Sequence, residues 1–116
     1  MRALAVAVLT LGLALPAIDA AHAVEGKLVL YTSQPNTDAQ QTIDAFKAKY
    51  PKVEISFVRD GTPRVMAKLR AEFEAGAPQA DVLLIADAVT MEGLKKEGRL
   101  LAHDKADVAA YPAGIH

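Results

Sequence analysis

Lys27-Leu28-Val29-Leu30-Tyr31 followed by Thr32-Ser33-Gln34-Pro35-Asn36 decides the fold. The first five residues read as a strand. Four apolar side chains in succession suit a strand covered on both faces, because a half-exposed strand would alternate. The next five are turn formers. A helix should follow to about Tyr50, capped by Asn36 or by Thr37, with Gln40 completing a capping box in the second case. Ala39, Ile43, Phe46 and Tyr50 recur at helical spacing and form one apolar stripe, and Pro51 ends the helix.

The same unit recurs twice downstream. Val53, Ile55 and Phe57 alternate with Glu54 and Ser56, so a second strand with one buried and one wet face is expected over 53–58. Arg59-Asp60-Gly61 forms the next turn, and Thr62-Pro63 opens a second helix with a cap and a first-turn proline. Val65, Met66, Leu69 and Phe73 mark its buried side, while Lys68, Arg70, Glu72 and Glu74 face solvent; Gly76 and Pro78 stop it. Val82-Leu83-Leu84-Ile85 is apolar throughout and reads as a central third strand. Asp87 caps a third helix with Met91 and Leu94 in the core, ending at Glu97-Gly98. Leu100-Leu101 should pack back, and from Ala102 onward no period is visible.

Strand, helix, strand, helix, strand, helix with short connections implies an α/β fold with a parallel sheet and right-handed crossovers. The two apolar strands should be neighbours, with the alternating one outside the first. This gives a three-layer, doubly wound sheet, βαβαβα, in order 2-1-3.

Upstream, Arg2 precedes an uncharged apolar run from Ala3 to Leu15; Pro16 breaks it, and Ala21-His22-Ala23 supplies an A-x-A cleavage pattern. That is the layout of a cleaved secretory signal peptide over residues 1–23, and the run is too short for a spanning helix of about twenty apolar residues. Export to the periplasm follows as the expected location. Beyond it lie 93 residues with twelve basic and thirteen acidic side chains. A balance this even, with no basic patch interleaved with aromatics, excludes a nucleic-acid partner. There is no cysteine, so thiol catalysis, thiolate metal sites and lipid attachment through an N-terminal cysteine are excluded. The chain carries no G-x-G-x-x-G, P-loop, G-x-S-x-G or H-E-x-x-H pattern, and no catalytic or metal-ligating residue is assigned.

Ligands of open parallel sheets bind beyond the carboxyl ends of the strands, where strand order reverses. Order 2-1-3 turns three loops toward one crevice there: Thr32 to Asn36, Arg59 to Thr62 and Ala86 to Ala88. Each leads into a helix N-terminus, whose free N–H groups and dipole favour an anion. Ser33, Gln34, Asn36, Thr62 and Asp87 are the side chains able to contact a ligand, and Gly61 would act through its backbone N–H. The bland alternative is that Asn36, Thr62 and Asp87 merely start helices. Arg59 reads first as half of a surface ion pair and second as a partner for an anion. His103 and His116, in the unpatterned tail, read as solvated.

Five passages then carry a resemblance: Leu28-Val29-Leu30-Tyr31-Thr32-Ser33; Ile43-Asp44-Ala45-Phe46 with Tyr50-Pro51; Met66-Ala67-Lys68-Leu69-Arg70-Ala71-Glu72; Ala80-Asp81-Val82-Leu83-Leu84-Ile85; and Leu94 through Leu101. In order and spacing the stretch from Lys27 to about Leu101 resembles the N-terminal lobe of bacterial ABC-transporter solute-binding proteins of family 1, nearest the iron(III)-type branch, within the type II periplasmic-binding fold. The resemblance implies a non-enzymatic, two-lobed, monomeric protein that closes on a small-molecule or metal solute and delivers it to an ABC permease in the inner membrane. It implies no resident cofactor, iron(III) being a transported ligand if it binds at all. It also implies a division into the signal peptide, a lobe over 24–101 and a tail over 102–116, with the chain an N-terminal fragment. Iron-binding members draw a histidine or tyrosine from the loop after the first strand in some cases; Ser33-Gln34-Pro35-Asn36 has neither. Such a loop suits a small anionic organic solute as well as iron held by a co-anion. Two other readings stand beside this one. A fragment of an exported α/β hydrolase would use Ser33 as nucleophile, without the flanking glycines of a nucleophile elbow. A small flavodoxin-like module would be complete in itself.

Overall fold

A computed structural model describes residues 24–105, 108–109 and 111–112. The proposed signal peptide and His116 lie outside the described residues. The chain runs β1 (Gly26–Thr32), α1 (Asn36–Lys49), β2 (Val53–Arg59), α2 (Thr62–Glu74), β3 (Val82–Leu84), α3 (Ala88–Lys96). All three strands are parallel in the order β2-β1-β3, as the apolar patterning of β1 predicts. Gly26 to Thr32 pair in register with Val53 to Arg59, and Leu30 to Thr32 with Val82 to Leu84.

Side chains alternating along the strands sort the helices into two layers. Leu28, Leu30, Ile55, Val82 and Leu84 lie on the α1 side of the sheet, where with Ile43 and Phe46 they line an apolar cavity between helix and sheet. On the opposite face Leu83 packs with Met66, Leu69 and Phe73 of α2, Met91 and Leu94 of α3, and Leu100 behind them. Leu100 thus packs back as expected, whereas Leu101 is left in solvent, 94% exposed.

Helix ends follow the glycines. Gly76 and Gly98 both take positive φ, 67° and 68°. After α2, Gly76 N–H bonds Phe73 O and Ala77 N–H bonds Glu72 O; after α3, Gly98 N–H bonds Lys95 O and Arg99 N–H bonds Leu94 O. Each pair is a Schellman closure, and both need a residue free of the Cβ penalty in the left-handed region. Arg70 of α2 meets Glu97 at the end of α3, 3.2 Å apart, and the Arg99 guanidinium lies 4.6 Å from the Phe73 ring centre.

Several local expectations are corrected. Neither Asn36, Thr37 nor Thr62 caps a helix: Pro35 and Gly61 occupy the N-cap positions of α1 and α2 without a side-chain bond. Gln40 instead donates to Asp44 on the next turn. β3 forms an edge among the described residues, with Val82 42% and Leu84 38% exposed, because α1, on that face, lies against β2 at the far side of the sheet. Phe57 at the outer strand is likewise exposed rather than buried. Glu72 does not face solvent but turns inward to the Tyr31 hydroxyl. Finally, β3 is pinned ahead of its first rung, where Asp81 Oδ2 accepts from Val29 N–H at 2.8 Å and Asp81 N–H donates to Val29 O at 2.9 Å.

Candidate functional site

Because the strands are parallel, the loops that follow them leave from one edge of the sheet. Backbone and side-chain bonds then knit the three loops together. Ser33 N–H donates to Leu84 O at 3.1 Å and Asp60 N–H to Thr32 O at 3.3 Å, so the first loop is tied to both others. Ala86 N–H donates to Ser33 Oγ at 3.1 Å, and Arg59 Nε donates to Gln34 O at 2.6 Å.

Thr32 organises the centre. It is completely buried, its hydroxyl donates to Leu84 O at 3.1 Å, and the same oxygen accepts from Gln34 N–H at 3.1 Å. Sequence alone does not single it out, because a threonine at a strand end looks like any other turn residue. Its signal was its place in the apolar register of β1, which directs it inward beside Leu30.

The candidate residues now separate by what they have free. Ser33 Oγ accepts from Ala86 and keeps its hydrogen to donate. Gln34 Oε1 is buried without a donor among the described residues. Asn36 and Thr62 open α1 and α2, helix starts with no side-chain cap; the first-turn N–H groups of α1 are not claimed by one, whereas in α2 Pro63 has no N–H and Arg64 N–H bonds Gly61 O at 3.0 Å, leaving the Thr62 N–H and hydroxyl. Gly61 N–H is engaged by Asp60 Oδ1 at 2.7 Å. Asp87 caps α3, as expected, by accepting from Val89 N–H at 3.1 Å and from the Thr90 hydroxyl. The Thr90 hydroxyl, joined by the Val89 and Thr90 N–H groups, holds the Asp87 carboxyl below the usual aspartate range. Arg59 has no carboxylate partner among the described residues, contrary to the ion-pair reading.

Behind this edge a polar cluster joins β1 to α2. The buried Tyr31 hydroxyl donates to Glu72 Oε1 at 2.6 Å, Lys68 Nζ lies 2.8 Å from the same oxygen, and Gln79 N–H donates to Glu72 Oε2 at 3.1 Å. Hydrogen bonds from Lys68 and then Tyr31 lower the Glu72 carboxyl, while burial first and the Glu72 bond second push the tyrosine hydroxyl up.

No group of three or more His, Cys, Asp or Glu capable of holding a metal occurs among the described residues, and no helix among them is long and apolar enough to cross a membrane. Among the described residues the partner of Ser33 Oγ is a backbone amide. The edge thus carries the Ser33 hydroxyl, the uncapped start of α1 and the buried Gln34 Oε1 on a stitched frame. A family model described as bacterial extracellular solute-binding protein matches residues 32–115, from the first residue of the knitted loops onward. A search among curated proteins finds no match.

Proposed function

The chain belongs to the bacterial extracellular solute-binding proteins, and on that premise we propose that it serves an ABC importer, binding a small anionic organic solute or iron(III) at the carboxyl edge of its sheet. Solute binding outside the cytoplasm is the role common to the family. In this reading residues 1–23 are a cleaved signal peptide, residues 24–101 are the N-terminal lobe, and the protein works in the periplasm with an inner-membrane permease as partner. Ser33, Gln34, Asn36, Gly61, Thr62 and Asp87 form one wall of the cleft.

One observation carries the proposal: the first loop is bonded to both others on a single edge, and Gln34 Oε1 there is buried with no donor among the described residues. An unpaired buried acceptor costs about 1–3 kcal/mol, a penalty that a hydroxyl or amine of a bound solute would remove. The organic anion is the better fit of the two cargoes. Ser33, the uncapped start of α1 and Thr62 supply donors, whereas iron(III) takes acceptor oxygens, and the Asp87 carboxylate is already committed to its own helix.

Calorimetry on the full chain tests it, with ferric nitrilotriacetate, glycerol 3-phosphate, citrate, spermidine and glucose as solutes. Wild type should bind at least one of the anionic or ferric solutes, and Ser33→Ala and Thr62→Ala should weaken whichever binds. If neither substitution weakens any ligand found, the wall has been placed wrongly.

A further inference from the structure

We propose that Arg59 is the specificity residue of this wall, taking a carboxylate or phosphoryl oxyanion of the solute on its guanidinium. The inference rests on the solute-binding reading above and adds to it the group that selects the cargo.

Arg59 is the last residue of β2 and lies in register with Thr32, so its side chain starts where the first and second loops meet. Its Nε donates to Gln34 O at 2.6 Å. One N–H is thereby spent, and a flexible side chain is anchored across the two loops. The guanidinium is planar and rigid, so anchoring Nε also orients the terminal nitrogens, whose N–H groups form a fork matched to two oxygens of a carboxylate or phosphoryl group.

Neighbouring acids do not neutralise it. Asp60, the adjacent carboxylate, accepts from Gly61 N–H with Oδ1 at 2.7 Å and faces Arg64 with Oδ2 at 3.6 Å. No ion pair to Arg59 forms among the described residues; other basic side chains such as Lys47, Lys52 and Lys96 also lack one, but Arg59 is the one pinned at the junction of two loops. A pinned cation without a counter-charge, beside a buried acceptor, is an arrangement for an oxyanion that also carries a hydroxyl. Lysine would supply the charge without the fork.

The test measures glycerol 3-phosphate and citrate, each an oxyanion with a hydroxyl, against glucose and spermidine, on wild type, Arg59→Gln and Arg59→Lys at low ionic strength. The first two solutes separate a phosphoryl from a carboxylate preference. Wild type should bind at least one of them, more weakly as salt is added. Arg59→Gln should lose at least about tenfold in affinity, and Arg59→Lys should fall between. Thermal melts check that both variants fold; if Arg59→Gln does not, Arg59→Lys decides, and unchanged affinity there overturns the inference. Unchanged anion affinity in Arg59→Gln overturns it too. Binding of only glucose, spermidine or the ferric complex overturns the inference and leaves solute binding standing. Binding of nothing in either panel overturns both.

Discussion

Thr32 has no exposed surface, and its one hydroxyl oxygen serves two partners, Leu84 O and Gln34 N–H. Valine matches its shape but can make neither bond. Thr32→Val should therefore cost about 1–3 kcal/mol, read as a lower denaturant midpoint at unchanged slope. Solute affinity should fall with it, because Gln34 loses the bond that sets its backbone. At this scale the sequence is legible where chemistry is local. Asp87 precedes an apolar helix pattern and caps that helix. It is illegible where the partner is distant: Glu72 lies on the expected wet side of α2 yet bonds Tyr31, 41 residues away. Arg59 is hidden for the same reason, since its acceptor is a backbone carbonyl 25 residues earlier.

The elements were readable nearly to their ends, because each is bounded by a residue with a steric reason to be there. Gly98 is such a residue, at φ 68°. Gly98→Ala should destabilise the protein by roughly 1 kcal/mol through the left-handed strain. Gly93 offers the opposite case within the same helix. A Cβ built there meets nothing within 4 Å, so Gly93→Ala should stabilise by about 0.5–1 kcal/mol. Paired thermal melts of the two variants check both signs. Burial along the strands was less readable than their existence. An apolar run states that both faces of β3 tolerate cover, but Val82 and Leu84 are buried only as far as a helix reaches them, and α1 does not.

For the molecule as a whole, pH acts through the cluster that fastens β1 to α2. Glu72 is held below the ordinary carboxylate range by Lys68 and then Tyr31. Its folded value lies under its unfolded one, about 4.3, so the stabilisation is present above that pH and is lost as pH falls through the folded value. Asp87, also lowered, adds to the acid loss. Lys68 is raised, chiefly by its bond to Glu72, and Tyr31 is raised, chiefly by burial. Both contributions are present below about pH 10 and disappear as pH climbs through the folded values. Melting temperature should thus be level near neutrality and drop at either extreme, with a shallower acid drop in Glu72→Gln. Topology at this scale was legible in the strand-helix alternation, which imposes parallel pairing, although the apolar β3 proved an edge like the alternating β2. The stitching between the loops was not, since it runs through main-chain groups that every residue possesses.

That stitching has a kinetic meaning. On the proposed reading, a binding edge already cross-braced before its guest arrives has little left to organise on contact. Entropy that a floppy rim would forfeit at capture has been surrendered once, during folding, so encounter rate and residence time would report the fit of the guest and not the settling of the host.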